Sequence, residues 1–297
     1  MKLLITGGTG FIGSMLLERL CADGHSAVVL TRQTDLVDSD TVQYVQDLAA
    51  IPDDAPFDAF INLAGESIAE GRWTASRKRQ LIDSRIETTR ALRTLAQRLQ
   101  QPPSTLLSAS AVGYYGPQDD TPLDEASPTV NCFSHALCVD WEAEARAFEE
   151  LGMRVCLLRL GVVLDNGGGA WEQLARSVQF GVATYLGSGR QWLSWVHRED
   201  VVAAIRFLLE QPEASGAFNV TAPEPVTNRG FCDALRDEKG AVITLPVPGA
   251  VMRLALGELA DELLLTGQRV LPRKLEALGF QYRYPTLAEA LPALLAS

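Results

Sequence analysis

The sequence predicts a doubly wound α/β fold: a parallel sheet with helices on both faces, joined to a smaller carboxyl-terminal α/β lobe. Three observations predict it. Short apolar runs rich in β-branched residues alternate with helical patterns, at residues 2–6, 27–31, 42–46, 59–62, 105–110 and 154–158. Parallel strands need crossover connections, and that alternation supplies them. The first run stops at three glycines spaced three positions apart, in "TGGTGFIG". Finally, 297 residues at 47% hydrophobic content provide core for one large domain and a companion.

Taken in order, strand one at 2–6 passes through the glycines into a helix at 14–22, and strands at 27–31, 42–46 and 59–62 follow. A helix over 75–100 carries Leu81, Ile86, Leu92, Leu95 and Leu99 at helical spacing, and Pro102 and Pro103 close it. Strand five at 105–110, a helix around "FSHALCVDWE" and strand six at 154–158 complete the regular half. The pattern then loosens into "DNGGGAW" (165–171) and "GSGRQWLSWVHRED" (187–200). A helix at 201–210 has Asp200 placed to cap it. A strand at 242–247 and helices around 250–265 and 286–295 predict the lobe. The sheet domain is expected over 1–160 plus about 190–222, and the lobe over about 161–189 and 223–297, with no internal repeat.

Composition narrows the function. A formal charge of −11 disfavours nucleic acid as a partner, because a phosphate-backbone binder clusters Lys and Arg. No run approaches the length of a membrane span, and the apolar start breaks at Thr6. The chain therefore reads as unexported and free of the membrane. Five cysteines without a C-x-x-C pair indicate neither zinc nor a disulfide framework. A cytoplasmic, reducing compartment fits.

Gly7, Gly10 and Gly13 sit directly after a strand and before a helix. In that context one glycine permits the tight turn, another admits a diphosphate to the backbone, and the third lets helix and strand pack closely. The helix start then offers N–H donors and partial positive charge to the phosphates. The expected diphosphate contacts are Gly7, Thr9, Gly10, Phe11, Ile12 and Gly13, with Thr31 beyond them at the end of strand two. There "VVLTRQ" places Arg32 where an NAD-binding chain would carry an acidic residue for the ribose hydroxyls. A guanidinium suits a 2′-phosphate, so the expected cofactor is NADP(H). The plain alternative is a solvated surface arginine. Asp47, ending strand three, is either an adenine contact or a surface aspartate.

"TGGTGFIG", "NLAG" (62–65), "SASAVGYYG" (108–116) and "WVHRED" (195–200), in this order, resemble the extended short-chain dehydrogenase/reductase family, which includes the nucleotide-sugar epimerases. With "LLLTGQRVLPRKLEALGFQYRYP" (263–285), the likeness extends to an epimerase-like subgroup and covers essentially the whole chain. It implies a Rossmann-type fold and places Leu63, Ala64 and Gly65 along the cofactor, although they also suit a small-residue turn against the glycine loop. It puts Arg85 in "DSRIETT" where relatives hold this region, and Val162 at the nicotinamide end or in the core.

The family's chemistry uses Tyr-x-x-x-Lys on the helix after strand five, often followed four residues later by glutamate. Laying that glutamate on Glu142 puts Ser134 at the tyrosine position and Cys138 at the lysine position. A serine hydroxyl is too weak an acid and a neutral thiol supplies no charge to tune it. The remaining catalytic candidates are Ser110 (or Ser108) on strand five and the phenols of Tyr114 and Tyr115 on the loop after it, where ligands gather in such folds. His197 is expected to orient a loop, and Cys138 to be an inert thiol. The resemblance puts Arg190 and Gln191 toward a substrate, and Trp192 and Trp195 against a flat ring or in the joint between lobes. The function expected is an NADP(H)-dependent oxidoreductase or epimerase-like conversion of a small polar metabolite, a nucleotide sugar among the possibilities. The other reading is a catalytically silent NADP(H)-binding sensor or docking module. Oligomeric state is not legible.

Overall fold

A computed structural model describes residues 1–175, 181–240 and 243–296. The chain opens with β1 (Lys2–Thr6), α1 (Phe11–Ala22), β2 (Ser26–Leu30), β3 (Val42–Val45), β4 (Ala59–Asn62), α2 (Ala75–Arg98) and β5 (Thr105–Ala111). A 3-10 turn at Val112–Tyr115 leads through β6 (Pro122–Leu123) to α3 (Phe133–Arg146) and β7 (Arg154–Leu160). Next come β8 (Val162–Asp165), β9 (Gly168–Gly169), α4 (Trp171–Ala175), β10 (Val182–Leu186), β11 (Trp192–Leu193), β12 (Trp195–His197), α5 (Arg198–Leu209) and β13 (Gly216–Val220). The carboxyl-terminal part holds β14 (Val226–Thr227), α6 (Asn228–Lys239), β15 (Ile243–Val247), α7 (Gly249–Leu256), β16 (Arg269–Val270), α8 (Arg273–Ala277) and α9 (Leu287–Leu295).

Seven strands form one sheet in the order β13-β7-β5-β4-β1-β2-β3, and every pairing in it is parallel. Strand alternation explains why both faces are covered. Leu3 and Ile5 of β1 join Ile61, Leu107 and Leu158 beneath α1 and α5, whereas Leu4 joins Phe60, Leu106 and Leu157 beneath α2 and α3. A third core, around Trp171, Trp195, Phe231 and Leu291, belongs to the lobe. The strand order reverses between β1 and β4, and a sheet of this kind is expected to hold its ligand in the crevice outside the carboxyl ends at that point.

Three details differ from the sequence reading. The residue capping α5 is His197, whose Nδ1 accepts from the Glu199 N–H at 3.2 Å. Asp200 instead accepts the N–H groups of Arg283 and Tyr284 at 2.7 and 3.0 Å, tying the carboxyl-terminal segment to the helix. The helix expected over 250–265 breaks at Gly257 (φ +63°), leaving α7 and a π-helical turn at Ala260–Leu264. Lastly, Leu275 and Phe280, expected in the lobe, pack into the core under α5. The strand expected from 242 runs from Ile243 to Val247, and Val242 lies outside the described residues. Among the described residues no helix is long and apolar enough to cross a membrane. None of their His, Cys, Asp and Glu side chains form a group of three able to hold a metal.

Candidate cofactor and substrate site

The glycine turn is built for close approach. Gly7 adopts φ +68°, and a Cβ there would stand 2.6 Å from the Leu63 carbonyl oxygen; one on Gly13 would run into the Gly7 carbonyl. Neither position admits a side chain. Gly10 caps α1 without a side-chain acceptor, so the first-turn N–H groups of Phe11, Ile12 and Gly13 have no side-chain cap. The Phe11 ring turns aside, under Gly168 and Gly169 of the β8–β9 hairpin and beneath the Arg198 guanidinium at 4.6 Å. The backbone of the bend is thus left clear of that ring.

The neighbouring strand ends are locked together by small polar groups. Asn62, fully buried at the end of β4, accepts from Thr6 Oγ1 at 2.6 Å and donates to Thr89 at 2.9 Å and Ser108 at 3.2 Å. Ser108 is thereby committed to this network. The N–H of Ala64 donates to Thr6 Oγ1 at 3.3 Å, and the turn Leu63–Ala64 packs directly on Gly7. Arg85, rising from α2, donates to the carbonyl of Glu66 at 2.9 Å and lies 3.1 Å from where a Gly65 Cβ would be. Thr9 and Thr31 hydroxyls meet at 3.4 Å across the crevice mouth. Beyond them Arg32, 92% exposed, pairs with Glu66 at 2.9 Å. Asp47 accepts from the Ala49 N–H and caps a 3-10 turn, which accounts for it without a ligand. Val162 pairs with Trp195 in the lobe sheet and packs against the lobe core.

At the end of β5 the candidate acids are placed unequally. Ser110, 2% exposed, donates to Glu142 Oε1 at 2.8 Å. Glu142 in turn forms a two-bond pair with Arg159 at 2.8 and 3.0 Å, both side chains almost fully buried. Burial pulls the Arg159 pKa down, but the hydrogen bond and charge of Glu142 outweigh it, and the guanidinium stays above its usual range. Arg159 also donates to Tyr115 Oη at 3.0 Å, and Tyr115 donates to Asn219 at 2.6 Å. Tyr115 is fully buried and its phenol is pushed up to about 12 by desolvation. Its hydroxyl joins the 3-10 turn after β5 to β7 and β13, so this expected catalytic phenol is enclosed by protein groups. The expected Ser110 likewise has its proton held by a buried carboxylate. Tyr114 remains half-buried, its ring 3.4 Å from the Arg159 guanidinium carbon.

Ser134 and Cys138 do lie together beside the loop after β5: a Cβ on Gly113 would be 3.3 Å from Ser134 Cβ and 3.8 Å from Cys138 Sγ. Burial, reinforced by the Glu142 charge, lifts the Cys138 thiol to about 12, so it is neutral at physiological pH. Glu262, from the π-helical turn, closes the start of α3 by accepting from the N–H of Phe133 at 3.0 Å and of Ser134 at 2.9 Å, and from Ser134 Oγ at 3.0 Å. Burial raises its pKa, but these donors prevail and hold the carboxyl below its usual range. Sequence reading missed Glu262, Asn219 and Arg159. The last two were visible as polar residues inside the apolar runs "RVCLLRL" and "GAFNV".

On the lobe side Arg190 is exposed, while Gln191 donates to the carbonyls of Leu186 and Leu264 and ties the end of β10 to the π-helical turn. Trp195 is fully buried in the lobe core, and Trp192 donates to Asp120 beneath Arg269. His197 lies under Tyr284 at 4.1 Å, its pKa lowered by burial.

A family model described as NAD dependent epimerase/dehydratase matches residues 3–221. The chain belongs to that family. A second model, a domain of unknown function (DUF1731), matches residues 247–294, the part that supplies Glu262. The epimerase family protein YfhF of Bacillus subtilis is 39% identical over 302 residues, covering 100% of this chain and 98% of its own. An epimerase family protein of Mycobacterium tuberculosis is 39% identical over 289 residues, 97% and 95% of the two chains. The human epimerase family protein SDR39U1, solved with NADPH, is 33% identical with a TM-score of 0.90 over the full length of both chains. The fold is that of the extended short-chain dehydrogenases/reductases.

Proposed function

We propose that this family member binds NADP(H) along the carboxyl edge of its sheet and acts on a small polar metabolite through a centre that lacks the Tyr-x-x-x-Lys pair. The observation that carries the reading is the cradle at Gly7 and Gly13, which any Cβ would fill, with a guanidinium at the end of β2. The NADPH held by the human relative supports the phosphorylated cofactor. Gly7, Thr9, Gly10, Phe11, Ile12 and Gly13 would take the diphosphate and Arg32 the 2′-phosphate, with Thr31 beside it. Leu63, Ala64 and Gly65 would line the ribose side, braced by Arg85, and Val162 would stand toward the nicotinamide.

When bound, the cofactor supplies hydride exchange. The chain's contribution is to orient it and to move a proton, and Tyr114 is the phenol left to do so, because Tyr115 and Ser110 are committed to Arg159, Asn219 and Glu142. The neutral thiol of Cys138 favours a second reading, a cofactor-binding sensor without turnover. Mixing NADPH with the protein should enhance nucleotide fluorescence. Oxidation of bound NADPH by a panel of carbonyl compounds and nucleotide sugars, lost in Tyr114→Phe, separates enzyme from sensor.

A further inference from the structure

Resting on the NADP(H) reading, we propose that Glu66 determines cofactor specificity by competing with the 2′-phosphate for Arg32. The pair joins the end of β2 to the turn after β4, two segments flanking β1, and so spans the mouth of the crevice in which the adenosine phosphate would lie. The phosphate cannot use Arg32 while Glu66 holds it, and a carboxylate left beside it would repel it.

The two partners are anchored very differently. The main chain of Glu66 is fixed on both sides: its N–H donates to Ser84 Oγ at 3.1 Å and its carbonyl accepts from Arg85 at 2.9 Å. Only its side chain is left to move. Arg32, 92% exposed, makes no other hydrogen bond or ion pair among the described residues and is free to turn.

A second cation waits for the carboxylate. Arg77 Nη1 stands 3.8 Å from Glu66 Oε2, and Arg77 is itself ordered by donating to the Ser67 carbonyl at 2.6 Å and to Gln80 at 3.4 Å. Its Nε is buried with no hydrogen-bond partner. A carboxylate closing that gap would meet a guanidinium with donor capacity to spare. The geometry therefore describes an exchange: without cofactor, Arg32 and Glu66 bridge the crevice; with NADP(H), Arg32 passes to the phosphate and Glu66 to Arg77. A cofactor lacking the 2′-phosphate gains nothing by breaking the bridge.

The test is titration of NADPH and NADH by nucleotide fluorescence against the intact protein and its Glu66→Gln, Arg77→Met and Arg32→Met variants. Glu66→Gln should bind NADPH about two- to fivefold tighter, the worth of one exposed ion pair, with a smaller change for NADH. Arg77→Met, with Glu66 confined to Arg32, should weaken NADPH and spare NADH. The Glu66→Gln gain should shrink in the Arg32→Met background. An unchanged NADPH-to-NADH ratio in Glu66→Gln, or weaker NADPH binding, overturns the exchange. An unchanged ratio in Arg32→Met, or no NADPH binding by the intact protein, instead defeats the cofactor reading itself.

Discussion

Replacing Glu142 by Gln should be the most destabilising conservative change in the sheet domain. Its carboxylate and the Arg159 guanidinium are 4% and 3% exposed, and two bonds of 2.8 and 3.0 Å join them. The amide keeps the shape and one acceptor but removes the charge, leaving a buried cation whose other acceptors among the described residues are Tyr115 Oη and the Glu125 carbonyl. Breaking such a pair from one side costs about 3–5 kcal/mol. At about 2–4 °C per kcal/mol for a large domain, the melting temperature should fall by roughly 6–20 °C. Urea unfolding followed by far-ultraviolet circular dichroism reads the same loss as an earlier midpoint. The double change Glu142→Leu/Arg159→Met, which removes both charges, should recover a large part of it. A loss below about 1 kcal/mol in Glu142→Gln would refute the reasoning, because it would mean that the guanidinium is solvated rather than enclosed.

Gly13→Ala should abolish measurable NADPH binding in titrations while far-ultraviolet circular dichroism stays helical, since its methyl meets the Gly7 carbonyl that shapes the turn. Tyr115→Phe should cost about 1–3 kcal/mol in urea unfolding by stripping Asn219 and Arg159 of a buried partner, whereas Tyr114→Phe should lower turnover and leave stability within about 0.5 kcal/mol. Acidification should weaken the fold in two stages. The depressed pKa of His197 makes its contribution complete above the unfolded value of about 6.5 and progressively lost below it; Glu262, also depressed, contributes fully above about 4.3 and loses that contribution as pH falls further. Urea midpoints measured from pH 8 to pH 3 should show both, with His197→Asn flattening the upper stage and Glu262→Gln the lower.

Six of the seven strands of the sheet were legible because each is a short apolar run flanked by turn chemistry, and the glycine turn because Gly7, Gly10 and Gly13 fall between a strand and a helix; β13, five residues opening on a glycine, was not. The juxtaposition of Ser134 and Cys138 followed from placing Glu142 in the helix after β5. Local sequence could not show what arrives from far along the chain. Glu262 meets Ser134 across 128 positions, and Asn219 meets Tyr115 across 104. Asp200 was read as a cap from its place before an apolar helix, but its carboxylate serves two N–H groups more than 80 positions away, and the ring of His197 takes the cap. Tyr114 and Tyr115 look alike in sequence. Only the hydrogen bonds of the Tyr115 hydroxyl to Arg159 of β7 and Asn219 of β13 make one a buried strut and leave the other half-buried.

The central claim is that peptide N–H groups at the glycine turn and the guanidinium of Arg32 together hold a phosphorylated dinucleotide. Titrating NADPH and NADH against the intact protein and Arg32→Glu tests it most directly. The account predicts that the intact protein prefers NADPH and that Arg32→Glu weakens NADPH about tenfold or more, through loss of a charge-assisted clamp, with NADH much less affected. Equal NADPH affinity before and after the change would contradict it.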